Sequence, residues 1–484
     1  MTSRAAGRPA GFTDSQVAQL DSQLAGDVIS PTHREYDRVR RIWNHMIDRH
    51  PAAVARCVNH SDVSTAVTFA REHGVEIAVR GGGHSVAGHS MVDHGLIIDL
   101  SPMRRVAAEA DIGRVRAGGG CLLADLDRAT QVYGLATPAG VMSQTGIGGL
   151  ALGGGMGWLT RKFGLTCDNL LAAEVVLADG SVVTASAQET PDLFWALRGA
   201  GANFGAVTEF EFAAHPVGTT MPVGVAMYRL EDAPSAIAHY GRTMSRSADD
   251  LKATIFLRRA AAEPGVPQDL IAAPVCMLVS VWTGEARDAR PVNEELWRGA
   301  PKLFGSVQTV PFVELQSMND AVLAAGACNY TKGGYLGGIG DGCIQSLIES
   351  AKMLPSADSV IEIAYQHGAQ DRFDERETAF PDRHADHSIN VLTRWRPGTD
   401  GQPYIDWTRE TLGVTTPWQT SGLYSNFMAV DDDHRVRDVY GGDKYEKLRA
   451  IKAEYDPENI FAKNPNIPPA SDAAATGEAH TGRP

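Results

Sequence analysis

The sequence predicts an α+β protein built from two successive domains. Three observations predict it. From about residue 53, short apolar strands alternate with amphipathic helices. Residues 174–177 and 181–185, two apolar runs joined by Asp179-Gly180, have the pattern of a β-hairpin. After Pro216 the composition shifts to strands interspersed with polar helices, which marks a second α+β unit.

In chain order, residues 13–50 read as polar and helical, with Thr13-Asp14-Ser15 as candidate caps. A helix follows over 62–72, with Val63, Ala66, Val67 and Ala70 on one face. Strands are expected at 75–79, 96–99 and 114–117, a helix at 121–133, and a glycine-rich stretch at 138–158. Beyond the hairpin, 191–198 is a helix opened by Pro191, leading through glycines 199, 201 and 205 into a strand at 206–212. The later part carries strands at 224–229, 276–282 and 388–395 and helices at 291–297, 342–353 and 443–455. The expected organisation is an N-terminal helical segment 1–50, a first domain 51–216, a second domain 217–420, a returning segment 421–469 and a disordered tail 470–484.

The hydrophobic fraction of 43% and charged fraction of 21% are those of a globular enzyme. The formal net charge of -14 argues against a nucleic-acid surface. Six scattered cysteines without a C-x-x-C pair indicate neither a disulfide framework nor a zinc site. With no signal-peptide core and no membrane-length apolar run, the expected location is cytoplasmic.

The chemistry concentrates in Ala78-Val79-Arg80-Gly81-Gly82-Gly83-His84-Ser85. An apolar strand runs into three glycines, whose freedom of φ and exposed N–H groups suit an anion cradle, most often for a phosphate or pyrophosphate. His84 then stands beside the carrier of that phosphate; a hydrogen-bonded loop histidine is the plainer alternative. A Rossmann fingerprint does not fit, because the third glycine is missing at its offset and the glycines at 199–205 follow a helix instead of a strand. His84, His89 and His94 recur every five residues, a spacing that suits no metal site. Asp431-Asp432-Asp433 lacks the glycine and glutamate of a calcium loop. The second glycine cluster, 146–157, reads as a ribbon of close-approach backbone beside a flat cofactor, or else as tight packing with no ligand.

Together with Gly140-Val-Met-Ser-Gln-Thr-Gly146, Phe163-Gly-Leu-Thr-Cys-Asp-Asn169, Leu193-Phe-Trp-Ala-Leu-Arg-Gly199, Tyr424-Ser-Asn-Phe427 and Tyr455-Asp-Pro-Glu-Asn-Ile-Phe461, these residues resemble the FAD-linked oxidases of the vanillyl-alcohol oxidase superfamily, in particular the berberine bridge enzyme-like group. The resemblance spans residues 51–469. It implies a two-lobed FAD-binding PCMH-type domain, a substrate domain with an antiparallel sheet and a C-terminal segment returning to the flavin. It assigns the pyrophosphate to Arg80, Gly81, Gly82, Gly83, His84 and Ser85, and further cofactor contacts to Gly140, Thr145, Gly148, Gly149, Gly155, Cys167, Val207, Tyr424, Asn426 and Asn464. It also implies that His84 is bonded to the flavin 8α-carbon. Met142 stands where some members carry a second, cysteinyl bond, so attachment is expected through His84 alone.

Two departures bear on catalysis. The glutamate that precedes the strand-terminal tryptophan by five residues in berberine bridge enzyme is Asn390 here, and the common Pro-His-Arg is Pro381-Asp382-Arg383. Tyr424 is left as the candidate base. Thr145, in the slot that governs oxygen access in the family, favours an oxidase. Tyr330, Tyr365, Asn390 and Trp418 are candidates to line the substrate pocket. The resemblance implies oxidation of a sugar-like or secondary-metabolite alcohol with O2 as acceptor. The alternatives are amine oxidation of the hydroxynicotine oxidase type and flavin binding without turnover. No metal, nucleic acid or membrane partner is expected, and the chain is expected to act as a monomer or homodimer.

Overall fold

The computed structural model describes residues 12–262, 266–420 and 422–470. Of the tail expected over 470–484, everything after Ala470 lies outside the described residues. Thr13 starts the first helix as a capping box: its side chain accepts from Gln16 N–H while Gln16 reaches back to Thr13 N–H. That helix covers only Asp14–Gln23, so the expectation of continuous helix over 13–50 is corrected. Gly26 and Pro31 break the pattern; Asp27–Ile29 is a strand and Tyr36–Val39 a single turn.

The first lobe holds a four-stranded sheet in the order Asp27–Ile29, Ala53–Arg56, Leu96–Asp99, Ile77–Arg80. Its outermost N-terminal pairing is antiparallel and the other two are parallel. The helix His60–Glu72, capped by the Asn59 side chain on Asp62 N–H, buries Val63, Ala66, Val67 and Ala70 against this sheet.

The second lobe is a five-stranded antiparallel sheet in the order Val106–Glu109, Arg114–Gly118, Ala206–Ala213, Leu170–Val176, Val182–Ser186. The hairpin turns at Gly180, whose φ of +85° is the left-handed region that glycine tolerates. The C-terminal helix Gly442–Tyr455 packs back on this lobe through Leu448 and Ile451. Buried Lys452 fastens it by donating to the carbonyls of Asn203 and Phe461 and to Asp456.

The third sheet has seven antiparallel strands: Phe304–Pro311, Thr220–Arg229, Pro274–Trp282, Leu251–Arg259, Val360–Tyr365, His387–Trp395 and Cys328–Leu336, in spatial order. One face is covered by the helices Ala233–Met244, Ala289–Leu296 and Asp341–Lys352. The other faces the second lobe: Val223, Val279 and Val281 pack with Trp158 and Leu159, and Tyr335 packs with Leu165. No helix among the described residues is long and apolar enough to cross a membrane.

Asp127 is buried where the helix Leu123–Gln131 meets the helix Phe312–Ser317, and its Oδ2 accepts from Gln316 Nε2 at 3.1 Å. Its Oδ1 has no partner, and burial pushes the carboxyl up to about 7. A folded-state value above the unfolded one makes the ionised group destabilising. The penalty is absent below about pH 4, grows up to the folded value and is complete above it. Asp127→Asn is therefore expected to stabilise the protein at pH 8 by on the order of 3 kcal/mol, with the gain vanishing near pH 4. Denaturant titrations at the two pH values check this; a gain equal at both, or none at pH 8, contradicts it.

Candidate active site

The strand Ile77–Arg80 delivers the glycine loop to the edge of the second lobe. A Cβ on Gly82 would lie 2.5 Å from Gly146 Cα, so the glycine backbones of the two lobes touch there. Gly83 has φ +68°, which turns the loop and presents His84. The imidazole stacks on Trp43 with ring centres 4.4 Å apart and planes 19° apart. Its Nε2 is buried without a hydrogen-bond partner, and burial lowers its pKa to about 4, so the ring is neutral at physiological pH.

Arg80 departs from its expected role. Its guanidinium is bound to Asp99 at 2.6 and 3.1 Å and to the Val39 carbonyl, buried inside the first lobe. The side chain thus anchors the base of the loop, and only the main chain of Arg80 can serve a pyrophosphate. Ser85 accepts the His89 N–H and closes the turn that follows.

Of the other glycines, Gly149 has nothing within 4 Å of an added Cβ and is exposed on the helix Ile147–Leu152, whereas Gly140 and Gly148 touch side chains at 3.3 Å or beyond. Thr145 is half-buried just ahead of Gly146. Past Gly149 the ribbon reading is corrected in favour of packing. An added Cβ would meet Asn426 at Gly153, the Phe380 ring at Gly154, Thr166 Oγ1 at Gly155 and the Ala139 carbonyl at Gly157, all within 2.5 Å. Gly155 instead donates its N–H to the Tyr424 hydroxyl at 3.0 Å, and Asn426 Nδ2 donates to the same oxygen at 2.8 Å. Burial still pushes the Tyr424 phenol up to about 12. Cys167 is fully buried beneath Gly154, its N–H on the Gly154 carbonyl, and packs with Tyr335 and Tyr424; burial drives its thiol well above the usual range. The Val207 side chain lies in the second lobe's core, leaving its main chain as the part able to face a cofactor.

A cavity of about 150 Å³ opens beside the loop, lined by Ala87, His89, Arg49, Lys463, Asn464 and others. Asn464 Nδ2 donates to the carbonyls of Ala202 and Phe461, while its buried Oδ1 lacks a partner.

On the sheet face turned to the second lobe, Glu362, Asn390 and Gly333 form one row across three strands, with Ala364, Ser388 and Tyr335 in the next. Gly333, Ala364 and Ser388 are the small residues of these two rows. Phe427 closes over Gly333, 3.3 Å from where its Cβ would stand, and meets the Tyr424 ring edge-on at 4.8 Å. Asn390 donates to the Glu362 carboxylate, yet burial raises the Glu362 pKa above its usual value. Lys252, on the same face of a neighbouring strand, is pushed down to about 8 by burial. Asn390 Oδ1, Gln366 Oε1 and the Tyr335 hydroxyl are buried on this face without partners. Such atoms are costly unless a ligand or water completes them.

Of the candidates to line the substrate pocket, Asn390 lies on this face, whereas Tyr330, Tyr365 and Trp418 lie away from it. Side chains alternate along a strand. Tyr365 shares the parity of Ile361 and Ile363 and packs under the helices. Tyr330 points to the helix Gln402–Gly413, its hydroxyl donating to Asp431 and accepting from Arg409. Trp418 lies against Gly342 on the outer helix layer. Sequence reasoning missed Glu362, Tyr335 and Trp43. A lone carboxylate in the apolar strand Val360–Tyr365 is the signal that marks Glu362; no comparable signal marks Trp43 in its polar surroundings.

The donor set fits a flavin dinucleotide. Glycine main chain is available at the lobe junction, an unpartnered neutral imidazole stands at its end, Gly149 is open, and Asn464 offers an unused oxygen. Residues 51–186 match the family model described as FAD binding domain, and residues 423–468 match the one described as berberine and berberine like. The chain is 31% identical over 474 residues to (R)-6-hydroxynicotine oxidase of Paenarthrobacter nicotinovorans, covering 92% of this chain and 97% of that protein. It is similar to the crystal structure of 6-hydroxy-D-nicotine oxidase from Arthrobacter nicotinovorans, with TM-score 0.83, 29% identity and coverage of 92% and 98%. The fold also matches glucooligosaccharide oxidase from Acremonium strictum, a protein with 6-S-cysteinyl, 8α-N1-histidyl FAD, with TM-score 0.81, 22% identity and coverage of 93% and 99%. With FAD as its cofactor, the chain belongs to the berberine bridge enzyme-like group of FAD-linked oxidases in the vanillyl-alcohol oxidase superfamily.

Proposed function

We propose that this protein is an oxidase of a small amine, acting at a carbon next to nitrogen, with FAD tethered through His84 alone and O2 as the electron acceptor. The observation that carries this reading is the Glu362–Asn390–Gly333 row: a half-buried carboxylate, oriented by an amide, shares a sheet face with the unpartnered Tyr335 hydroxyl, with Phe427 and Tyr424 packed against that face. A cationic nitrogen is the partner such a carboxylate accepts at lowest cost. The (R)-6-hydroxynicotine oxidase relative points the same way.

Bound FAD supplies the two-electron acceptor for the substrate and passes the electrons to O2. The chain's own residues bind and orient. Glu362 holds the cation, and the hydroxyl of Tyr335 and the oxygens of Asn390 and Gln366 are free to bond polar groups of the substrate. Tyr424 accepts two N–H bonds, and with a pKa near 12 it keeps its own proton, so it acts as a donor to the bound molecule and not as a base. Amine oxidation makes no demand for a strong base, which agrees with Asn390 in place of a carboxylate. A sugar-like or secondary-metabolite alcohol is the second reading, favoured by the same unpartnered oxygens.

Acid-precipitated protein is expected to retain its flavin colour, and a screen of amines and alcohols read by peroxide release is expected to find turnover among the amines. Turnover of alcohols alone overturns the amine reading. Flavin bleached by dithionite but by no candidate substrate indicates a binding protein instead.

A further inference from the structure

We infer that Trp43 is a positioning residue for flavin attachment: it fixes and shields the His84 imidazole so that its nitrogen can bond to the cofactor. This inference rests on His84 being the tether. The indole covers one face of the imidazole at 4.4 Å and 19°, an offset-stacking distance that holds the ring plane. Trp43 is itself held from two sides. Its backbone N–H donates to Gly83 O at 2.9 Å, in the residue next to His84, and its Nε1 donates to Leu323 O at 2.7 Å, in the segment ahead of the edge strand Cys328–Leu336. Asn44 repeats the bridge: Nδ2 donates to Val86 O and Asn329 O, while Oδ1 accepts from Asn329 N–H. Ile42 and Ile47 lie against Gly83 and Gly88. Residues 42–47 thus strap the whole histidine loop to the seven-stranded sheet, and Trp43 is the part of the strap that touches the imidazole.

Attachment requires a neutral ring with an available lone pair. The shielded site provides one, since burial keeps His84 unprotonated and Nε2 has no protein partner. In the step itself an N–C bond forms at the flavin 8α-carbon, which loses one C–H hydrogen while the imidazole loses its N–H hydrogen. The two protons and two electrons released pass to O2, the acceptor of the proposed reaction, giving H2O2. Trp43 takes no part in this exchange; it limits the orientations from which the nitrogen approaches.

The test compares wild type, Trp43→Phe, Trp43→Leu and Trp43→Ala, purified with FAD bound. Flavin retained in the acid pellet, and the mass of the intact chain with and without FAD, are measured over time. Trp43→Leu and Trp43→Ala are expected to bind FAD natively yet become covalently loaded about tenfold or more slowly than wild type, the scale of a lost positioning contact. Trp43→Phe, which keeps an aromatic face, is expected to recover most of the rate. A purely structural role would lower FAD binding and attachment together, without rescue by phenylalanine, and would overturn the inference. So would equal covalent loading in all four proteins. If Trp43→Ala does not fold, the leucine and phenylalanine variants decide by the same criteria. A wild-type chain that releases all its flavin in acid refutes the tether itself, an outcome separate from any effect at Trp43.

Discussion

Glu362→Gln is expected to lower kcat/KM for a cationic amine by about 100-fold, the scale on which losing one partner of a buried charge pair costs a complex. The carboxylate is half-buried on the sheet face turned to the second lobe, bonded by the Asn390 amide and within the field of Lys252. Glutamine keeps the shape and can still accept from Asn390, so the fold survives and the charge alone is lost. A neutral analogue of the same substrate should lose far less. The pH dependence carries the same signature. Burial raises the Glu362 pKa, so the carboxylate takes up its proton above the ordinary carboxyl range as pH falls. The acidic limb of kcat/KM should therefore sit above that range in the wild type and disappear in Glu362→Gln. An unchanged kcat/KM together with a persistent acidic limb would remove Glu362 from substrate recognition.

The largest stability effect is expected at Asp168. Asp168 and Arg383 are both fully buried and bonded at 2.6 and 3.0 Å; Arg383 also donates to Thr378 Oγ1 and Gln370 O. Asp168 belongs to the turn Cys167–Asn169 under the glycine ribbon, and Arg383 to the loop that leads into the strand His387–Trp395. Asp168→Asn strands the guanidinium in the interior and should cost about 3–5 kcal/mol of unfolding free energy. Replacing both, as Asp168→Leu with Arg383→Met, should be milder than the single change, because no unpaired charge remains. Urea unfolding of the three proteins measures this. A single variant within about 1 kcal/mol of wild type would show that the pair is solvated or replaceable.

Much of the fold was legible because it rests on local signals. The helix face of Val63, Ala66, Val67 and Ala70 and the Asp179-Gly180 turn are both local patterns, and both stand where the sequence places them. The glycine-histidine loop was equally plain, since a Gly-Gly-Gly run has few other uses. The sheet face was not. Asn390 and Tyr365 belong to neighbouring strands and look equally suitable in sequence, but strand parity sends one to the face turned to the second lobe and the other under the helices. Parity needs the register, and register is a property of paired strands. Arg80 misled for a related reason: a cation beside a phosphate loop invites a ligand role, and only the position of Asp99 on the adjacent parallel strand shows that its charge is spent. Trp43 depended entirely on contacts distant in sequence.

Those distant contacts set an order of events during synthesis. The strap closes through Asn44 and Asn329, which are 285 positions apart. At about 5–20 residues per second, a ribosome reaches the second roughly 15 to 60 seconds after the first. Until then the strand and loop of the first lobe can form and Trp43 can meet the loop through Gly83, but its anchor at Leu323 and the Asn44–Asn329 bridge are missing. The strap is complete only once the chain has been made past Asn329. A chain stopped before Leu323 lacks both anchors that hold Trp43 and Asn44 to the sheet side.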